Sequence, residues 1–249
     1  AANIKVLITD HHDIPMEEDT YGEKHPLLPE ADLIVNPKQE GETYPYTGLC
    51  GAVVAYKVMC VLAEQFLQKE SSSFMEQFLP YLSMATICDV MELTGENRII
   101  AALGMEAMRK SRDFGICALI QANELNQESI GAYHVGFILG PCLNASGRLL
   151  TALKGLSLLL SEDEEEARKL AEETVQLNSE RKELTAKGLA EAIEMVEEQE
   201  TLERVLVLYL PKVHESLAGI IAGRVRERFY RPTIILTDAE DGVKGSGRS

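Results

Sequence analysis

The first hydrophobic segment of the chain is a short run of β-branched and apolar residues that breaks into polar ones. Ile4-Lys-Val-Leu-Ile-Thr9 is followed at once by Asp10-His-His-Asp13. This pattern predicts a buried strand that ends in a loop. Ligand sites in parallel α/β sheets gather beyond the carboxyl ends of strands, so the loop after Thr9 is a candidate site.

The pattern between residues 15 and 160 changes from extended to helical. Residues 15–45 are rich in Pro, Gly and acids and predict an extended surface connection, interrupted by the strand-like Leu33-Ile-Val35. From Gly48 the apolar residues recur at three- and four-residue steps, which is typical of helices. The predicted helices cover residues 48–66, 74–87, 97–109 and 149–160.

The last third of the chain predicts one long helix and a second α/β unit. Ser161 followed by five acids predicts a capped helix start, and the helical pattern runs to about residue 200. A strand at 204–210, a helix at 217–229 and a strand at 233–237 then follow in β-α-β order. We therefore predict an α/β protein: a helix-rich parallel-sheet unit at 1–160, a linker helix at 161–203 and a second α/β unit at 204–249.

Composition and cysteine usage indicate a soluble cytoplasmic protein. Hydrophobic residues make up 45% of the chain and charged residues 26%, as in ordinary globular domains. We find no apolar run that approaches the roughly 18 residues of a membrane span, and no basic-then-apolar signal pattern. The five cysteines are widely spaced without a Cys-x-x-Cys pair, which argues against zinc or redox chemistry and favours a reducing compartment.

The net charge argues against a nucleic-acid partner only on average. The chain carries a formal charge of -16, but fifteen acids and six bases lie in residues 161–204. Residues 205–249 hold seven bases and five acids. The acids fit a solvated helix face, and the C-terminal part allows a local basic surface for phosphates.

Two places in the sequence suggest metal-binding chemistry. Asp10, His11 and His12 offer a carboxylate and two imidazoles within one loop, a set that suits Mn²⁺. A polar loop without a metal is the alternative. Asp89 stands inside the apolar run 84–91, where a buried carboxylate needs a cation, a helix cap or a metal as its partner.

Two further segments suggest anion binding. Gly140-Pro-Cys-Leu-Asn-Ala-Ser-Gly-Arg148 combines small residues with Asn144 and Arg148, so that backbone N–H groups and a guanidinium would face a phosphate. An ordinary turn with a capping Asn is the alternative. Lys244-Gly-Ser-Gly-Arg-Ser249 predicts a phosphate-binding loop or a flexible end.

The order of these motifs resembles the RecJ single-strand exonucleases of the DHH phosphoesterase superfamily. The similar segments, which span nearly the whole chain, are Val6-Leu-Ile-Thr-Asp-His-His12, Ala31-Asp-Leu-Ile-Val-Asn-Pro37, Ala85-Thr-Ile-Cys-Asp-Val-Met91 with Gly95-Glu-Asn-Arg98, Leu143-Asn-Ala-Ser-Gly-Arg148, Leu177-Asn-Ser-Glu-Arg-Lys182, His214-Glu-Ser-Leu-Ala-Gly-Ile-Ile-Ala-Gly-Arg224, Tyr230-Arg-Pro232 and Gly245-Ser-Gly-Arg-Ser249. The resemblance implies that residues 1–160 form a DHH domain and that residues 204–249 begin a DHH-associated domain.

The resemblance also implies roles for individual residues. His11 and Asp89 would bind metal, and Asp10 and His12 would act at the scissile phosphate. The residues expected to contact substrate phosphates are Asn144, Arg148, His214, Ser246, Arg248 and Ser249. The implied reaction is 5′-to-3′ hydrolysis of single-stranded DNA to mononucleotides in repair and recombination, with two Mn²⁺ or Mg²⁺ ions and with a single-strand-binding protein and a helicase as partners.

The chain departs from the family pattern in what lies outside the shared motifs. Such proteins place an Asp-x-Asp-Gly-type motif and a further aspartate before the Asp-His-His motif, whereas Asp10 follows only nine residues here. We therefore expect an internal segment with little or no nuclease activity by itself. Alternatives are a DHH phosphodiesterase for oligoribonucleotides or cyclic dinucleotides, and a catalytically degenerate nucleic-acid-binding protein.

Overall fold

The first compact unit of the chain, Ala1–Gly140, begins with two small β-structures. The computed structural model describes residues 4–67, 71–240 and 242–249. Strand β1 (Leu7–Thr9) pairs in parallel with β4 (Leu33–Val35), with Leu7 opposite Leu33. Between them, β2 (Met16–Glu18) and β3 (Lys24–Pro26) form an antiparallel hairpin within the segment predicted to be an extended connection.

The predicted buried strand at residues 4–9 is present but shorter and exposed. In the part of the chain that the structure describes, β1 pairs with β4 alone. A two-stranded sheet covers little of its own surface, so Ile4 remains 74% exposed and Leu7 49% exposed. The prediction of a strand end before Asp10 is confirmed, and the prediction of burial is wrong.

Helices make up most of the rest of the first unit. They are α1 (Gly51–Leu67), α2 (Ser71–Cys88), α3 (Gly95–Arg109), α4 (Phe114–Ala122) and the short α5 (Ala132–His134), which runs into a π-helical segment (Val135–Leu139). Helices α2 and α3 approach closely at Gly104, where a Cβ would overlap Ser83 and the carbonyl oxygen of Leu79. A buried cluster that includes Leu49, Val53 and Leu82 packs α1 against α2.

In the second compact unit, Pro141–Ser249, helices pack on a three-stranded sheet. Its elements are α6 (Gly140–Leu149), α7 (Leu153–Leu159), α8 (Glu164–Glu197), β5 (Leu206–Tyr209), α9 (Glu215–Phe229), β6 (Thr233–Ala239) and β7 (Gly242–Arg248). The sheet order is β5-β6-β7, parallel between β5 and β6 and antiparallel between β6 and β7. Helix α9 joins the two parallel strands and buries Ile221 and Val225 in their core.

Two segments predicted as anion-binding loops are regular structure instead. Residues 140–148 belong to α6, where Cys142, Ala145 and Ser146 are fully buried, so the small side chains serve close packing. Residues 244–248 belong to β7, because the neighbouring strand β6 supplies a complete antiparallel partner. Tertiary packing thus overrides the loop preference of Gly, Asn and Ser.

The long helix is confirmed, with a different cap. Asp163, not Ser161, is the N-cap residue, and its carboxylate accepts a hydrogen bond of 2.8 Å from the backbone N–H of Glu166. Ser161 donates to the carbonyl of Asp163 instead. Gly188 of this helix packs against Ile221 and Val213, which places α8 in the core of the second unit.

The α/β fold class is confirmed, whereas the predicted domain boundaries remain a prediction. The compact units meet at residues 140 and 141. The boundaries expected from sequence, at 160 and 203, divide the chain by its resemblance to family domains, whereas the boundary at 140 divides it by contacts within each compact unit. Among the described residues, no helix combines the length and apolar character that crossing a bilayer requires.

Candidate metal centre

The Asp-His-His loop is fixed to the carboxyl ends of both parallel strands. The backbone N–H of Asp10 extends the β1–β4 ladder by donating to the carbonyl of Val35 at 3.0 Å. The next residue of that strand end, Asn36, is 3% exposed, and its amide donates to the carbonyl of His12 at 3.0 Å. Its oxygen in turn accepts from the backbone of Lys38. Asn36 therefore positions the loop, a role that its place in the motif 31–37 did not reveal.

The carboxylate of Asp10 organises the two histidines that follow it. One oxygen, Oδ1, accepts hydrogen bonds from the backbone N–H groups of His11 and His12, at 2.7 and 3.3 Å, and lies 2.7 Å from Nδ1 of His12. Desolvation raises the pKa of Asp10, but the bond to the His12 ring and the backbone bonds outweigh it and lower the pKa. Asp10 is thus an anion that fixes the His12 ring.

The two histidine rings point to different surroundings. The His11 side chain is 15% exposed, and its Nε2 lies 2.8 Å from Oδ2 of Asp89. Its ring abuts Gly51, the first residue of α1, where a Cβ would lie 3.1 Å from Nδ1. The His12 side chain is 75% exposed. His11 is therefore packed into the protein and paired with a carboxylate, while His12 faces solvent.

Asp89 lies at the end of α2 rather than inside a buried run. Its side chain is 46% exposed. Just after the helix ends, the backbone N–H of Val90 donates to the carbonyl of Ile87, and the N–H of Met91 donates to the carbonyl of Thr86. This is the Schellman pattern, in which glycine is preferred at the left-handed position. Here Val90 takes that position with a φ of 57°, which is strained for a β-branched residue. The apolar residues before Asp89 are the helix that carries it.

These donor atoms fit a divalent metal ion. The ligand atoms of Asp10, His11 and His12 lie within 4.8 Å of one another. Neighbouring ligands of an octahedral ion with bonds of about 2.1 Å are roughly 3 Å apart, which is close to the 2.8 Å between His11 Nε2 and Asp89 Oδ2. An imidazole with carboxylates also matches the preferences of Mn²⁺.

In the second unit, three of the predicted phosphate-binding residues lie near the first turn of α9 or on the helix that reaches it. Arg148 of α6 donates to the carbonyl of Ser216 at 3.0 Å. Asn144 is exposed one turn earlier on α6. His214 is the N-cap residue of α9, with its Nδ1 2.7 Å from the hydroxyl of Ser216. Arg148 and His214 therefore meet at the positive end of a helix, which favours anions.

The predicted residues of β7 meet the same helix. A Cβ at Gly219 would lie 2.8 Å from a guanidinium nitrogen of Arg248 and 2.9 Å from the hydroxyl of Ser246. Arg248 also donates to that hydroxyl at 3.1 Å. Ser249 accepts a long bond from Arg226 through its backbone carbonyl. The absence of a side chain at Gly219 is what lets Ser246 and Arg248 reach the N-terminal half of α9.

A comparison with protein-family models gives no match, whereas curated proteins match along the whole chain. The single-stranded-DNA-specific exonuclease RecJ of Bacillus subtilis is 39% identical over 253 residues, which cover 99% of this chain and 29% of that protein. The Escherichia coli protein of the same name is 37% identical over 261 residues, covering 99% and 43%. The chain thus spans less than half the length of these relatives.

Solved structures match the fold. RecJ from Thermus thermophilus in complex with Mn²⁺ has a TM-score of 0.79 and 27% identity, covering 100% of this chain and 34% of that one. An exonuclease RecJ bound to manganese has a TM-score of 0.79 and 28% identity, covering 98% and 57%. The order of the motifs, the fold and the sequence identity agree, and the chain is homologous over its whole length to part of the RecJ single-stranded-DNA-specific exonucleases.

Proposed function

We propose that this chain carries the metal-binding and phosphate-binding parts of a 5′-to-3′ exonuclease that hydrolyses single-stranded DNA. The observation that carries the proposal is the His11–Asp89 pair at 2.8 Å beside an outward-facing His12. Two elements distant in sequence, the end of β1 and the end of α2, meet at this pair. The names of the relatives, and the Mg²⁺ and Mn²⁺ of the solved neighbours, support the same assignment.

Each residue of the first unit has its own task in this proposal. His11 and Asp89 would hold a divalent metal, which when bound would activate water and offset the charge of the reacting phosphate. Asp10 holds Nδ1 of His12, which fixes the ring and leaves Nε2 for a phosphate oxygen. Asn36 and Gly51 keep the loop and the His11 ring in place.

The second unit would hold the backbone of the strand. Arg148, His214, Ser246 and Arg248 surround the N-terminal half of α9, where a guanidinium clamps phosphate oxygens and the helix dipole favours their charge. Asn144 and Ser249 belong to the same proposed set. The proposal also includes the division of the chain into modules at 1–160, 161–203 and 204–249. It further includes a cytoplasmic location, a role in DNA repair and recombination, and association with a single-strand-binding protein and a helicase.

Manganese titration of the intact chain tests the metal assignment without relying on turnover. His11→Ala and Asp89→Asn are each expected to lose Mn²⁺ binding, measured by calorimetry or by the electron paramagnetic resonance signal of free Mn²⁺. His134→Ala is the matched control, because His134 lies outside both groups of possible metal ligands among the described residues and its Nδ1 accepts a hydrogen bond of 3.1 Å from the backbone N–H of Gly131. Unchanged Mn²⁺ uptake in both site variants would remove the main support for the proposal.

A labelled oligonucleotide tests the substrate. In the presence of Mn²⁺, binding or trimming of a 5′-labelled single strand is expected to exceed that of the matching duplex and of a dinucleotide. Preference for the dinucleotide would favour a small-substrate phosphodiesterase. Rapid digestion of the strand by this chain would contradict the expectation that it has little activity by itself.

A further inference from the structure

The motif Leu177-Asn-Ser-Glu-Arg-Lys182 lies on α8 and has no part in the function proposed above. Arg181 of this motif donates from Nε and from Nη2 to the amide oxygen of Asn178, at 3.1 and 3.0 Å. Asn178 is 5% exposed, and its own amide nitrogen lies 3.3 Å from the sulfur of Cys142. A buried side chain therefore fixes the guanidinium of Arg181 by one edge, which leaves the other edge free to donate.

The surroundings of Arg181 are positively charged. Burial lowers the pKa of its guanidinium, and the charges of Arg148 on α6 and Arg224 on α9 lower the pKa further. Among the ion pairs of the described residues, none joins Arg148, Arg181 or Arg224 to a carboxylate. In the described part of the chain, the three arginines thus feel one another's charge without a carboxylate partner.

Other arginines on the same helices are neutralised. Arg168 of α8 pairs with Glu172 at 2.8 Å, and Arg228 of α9 pairs with Glu197 at 2.8 Å. The acids of this chain outnumber its bases, 40 to 24, so carboxylate partners are not scarce. The like charges of arginines without carboxylate partners repel one another. An anion that binds between them offsets this repulsion and so stabilises the protein.

We infer that Arg181, flanked by Arg148 and Arg224, binds a phosphate group of the nucleic-acid strand. The inference rests on the proposed function for the identity of the anion, and it adds Arg181 and Arg224 to the residues that contact the backbone. Arg148 is common to this cluster and to the contacts at the first turn of α9. The two Nη groups on the free edge of Arg181 suit a phosphodiester, which offers two unesterified oxygens.

The test measures binding by the intact chain in EDTA, where cleavage is excluded. Fluorescence anisotropy of a labelled, 5′-phosphorylated oligothymidylate compares Arg181→Gln and Arg224→Gln with Arg168→Gln and Arg228→Gln, which remove the same charge from the same two helices. Arg181→Gln is expected to weaken binding about tenfold, as for the loss of a charge-assisted hydrogen bond, and to reduce the salt slope by about 0.7. Arg224→Gln weakens binding in the same direction, and the two controls stay within about twofold of the unaltered chain.

A second measurement separates this inference from the proposed function. Inorganic pyrophosphate raises the melting temperature of the unaltered chain above its value in chloride of equal ionic strength, and Arg181→Gln abolishes the increment. If the chain binds no oligonucleotide but keeps this increment, the anion site stands and the proposed substrate fails. Equal weakening in all four variants, or an unchanged increment in Arg181→Gln, overturns the inference.

Discussion

Replacing Gly51 by alanine tests how the fold holds the candidate metal ligand. Gly51 begins α1, and a Cβ there would lie 3.1 Å from Nδ1 of His11, whereas ordinary contacts begin at 3.4 Å. The ring must therefore move by about 0.3 Å or tilt, and the opposite nitrogen, Nε2, moves with it relative to Asp89. Functional groups must be held within about 0.5 Å of their productive positions, so this movement uses up more than half of that tolerance.

The expected effect is a loss of metal affinity without a loss of stability. Disturbing the residues that orient a metal ligand costs roughly 10- to 100-fold in affinity, and we expect the lower value, about tenfold or about 1.4 kcal/mol. Alanine in place of glycine stabilises a helix interior by about 0.5–1 kcal/mol, and somewhat less at its first residue. The variant is therefore expected to melt at or near the temperature of the unaltered chain.

Gly223→Ala is the matched control. Gly223 lies in α9, and a Cβ there would meet no atom within 4 Å. Calorimetric Mn²⁺ titration and thermal melting by circular dichroism are measured on both variants. Equal Mn²⁺ affinity in Gly51→Ala and in the unaltered chain would refute the reasoning, as would an equal loss of affinity in Gly223→Ala.

Three further changes test the scaffold. Gly104→Ala lowers the free energy of unfolding by about 3 kcal/mol in urea titrations, because its Cβ overlaps Ser83 across the α2–α3 contact; a change below about 1 kcal/mol would contradict this packing. Val90→Gly raises the free energy of unfolding by about 1 kcal/mol by relieving the left-handed strain, whereas Val90→Ala gains less. Burial raises the pKa of Glu96, but hydrogen bonds from Lys57 and a tyrosine lower it below 4.5, so this network stabilises the fold above that pH and fails as the pH falls through the lowered pKa. When the pH falls below the ordinary pKa of a glutamate, Glu96→Gln therefore loses less stability than the unaltered chain, and equal acid sensitivity would count against the network.

The sequence predicted the elements that repeat a clear pattern. The strand end before Asp10, the long helix and the β-α-β order of the last third all follow from hydrophobic periodicity. The segments rich in Gly, Asn and Ser were predicted wrongly, since α6 and β7 are held in regular structure by burial and by pairing with β6. Local preference is worth about 1 kcal/mol or less per residue, which such packing exceeds.

The sequence by itself determined which chemical groups the candidate site contains: a carboxylate and two imidazoles at the end of a strand, with an aspartate further along. Only the tertiary structure decided how they are used. It brings Asp89 to Nε2 of His11, turns His12 outward on Asp10, and gives Asn36 and Gly51 their positioning roles. The physical reason is that a side chain's identity fixes its donor atoms, whereas their direction depends on helix ends, strand register and close approaches between distant segments.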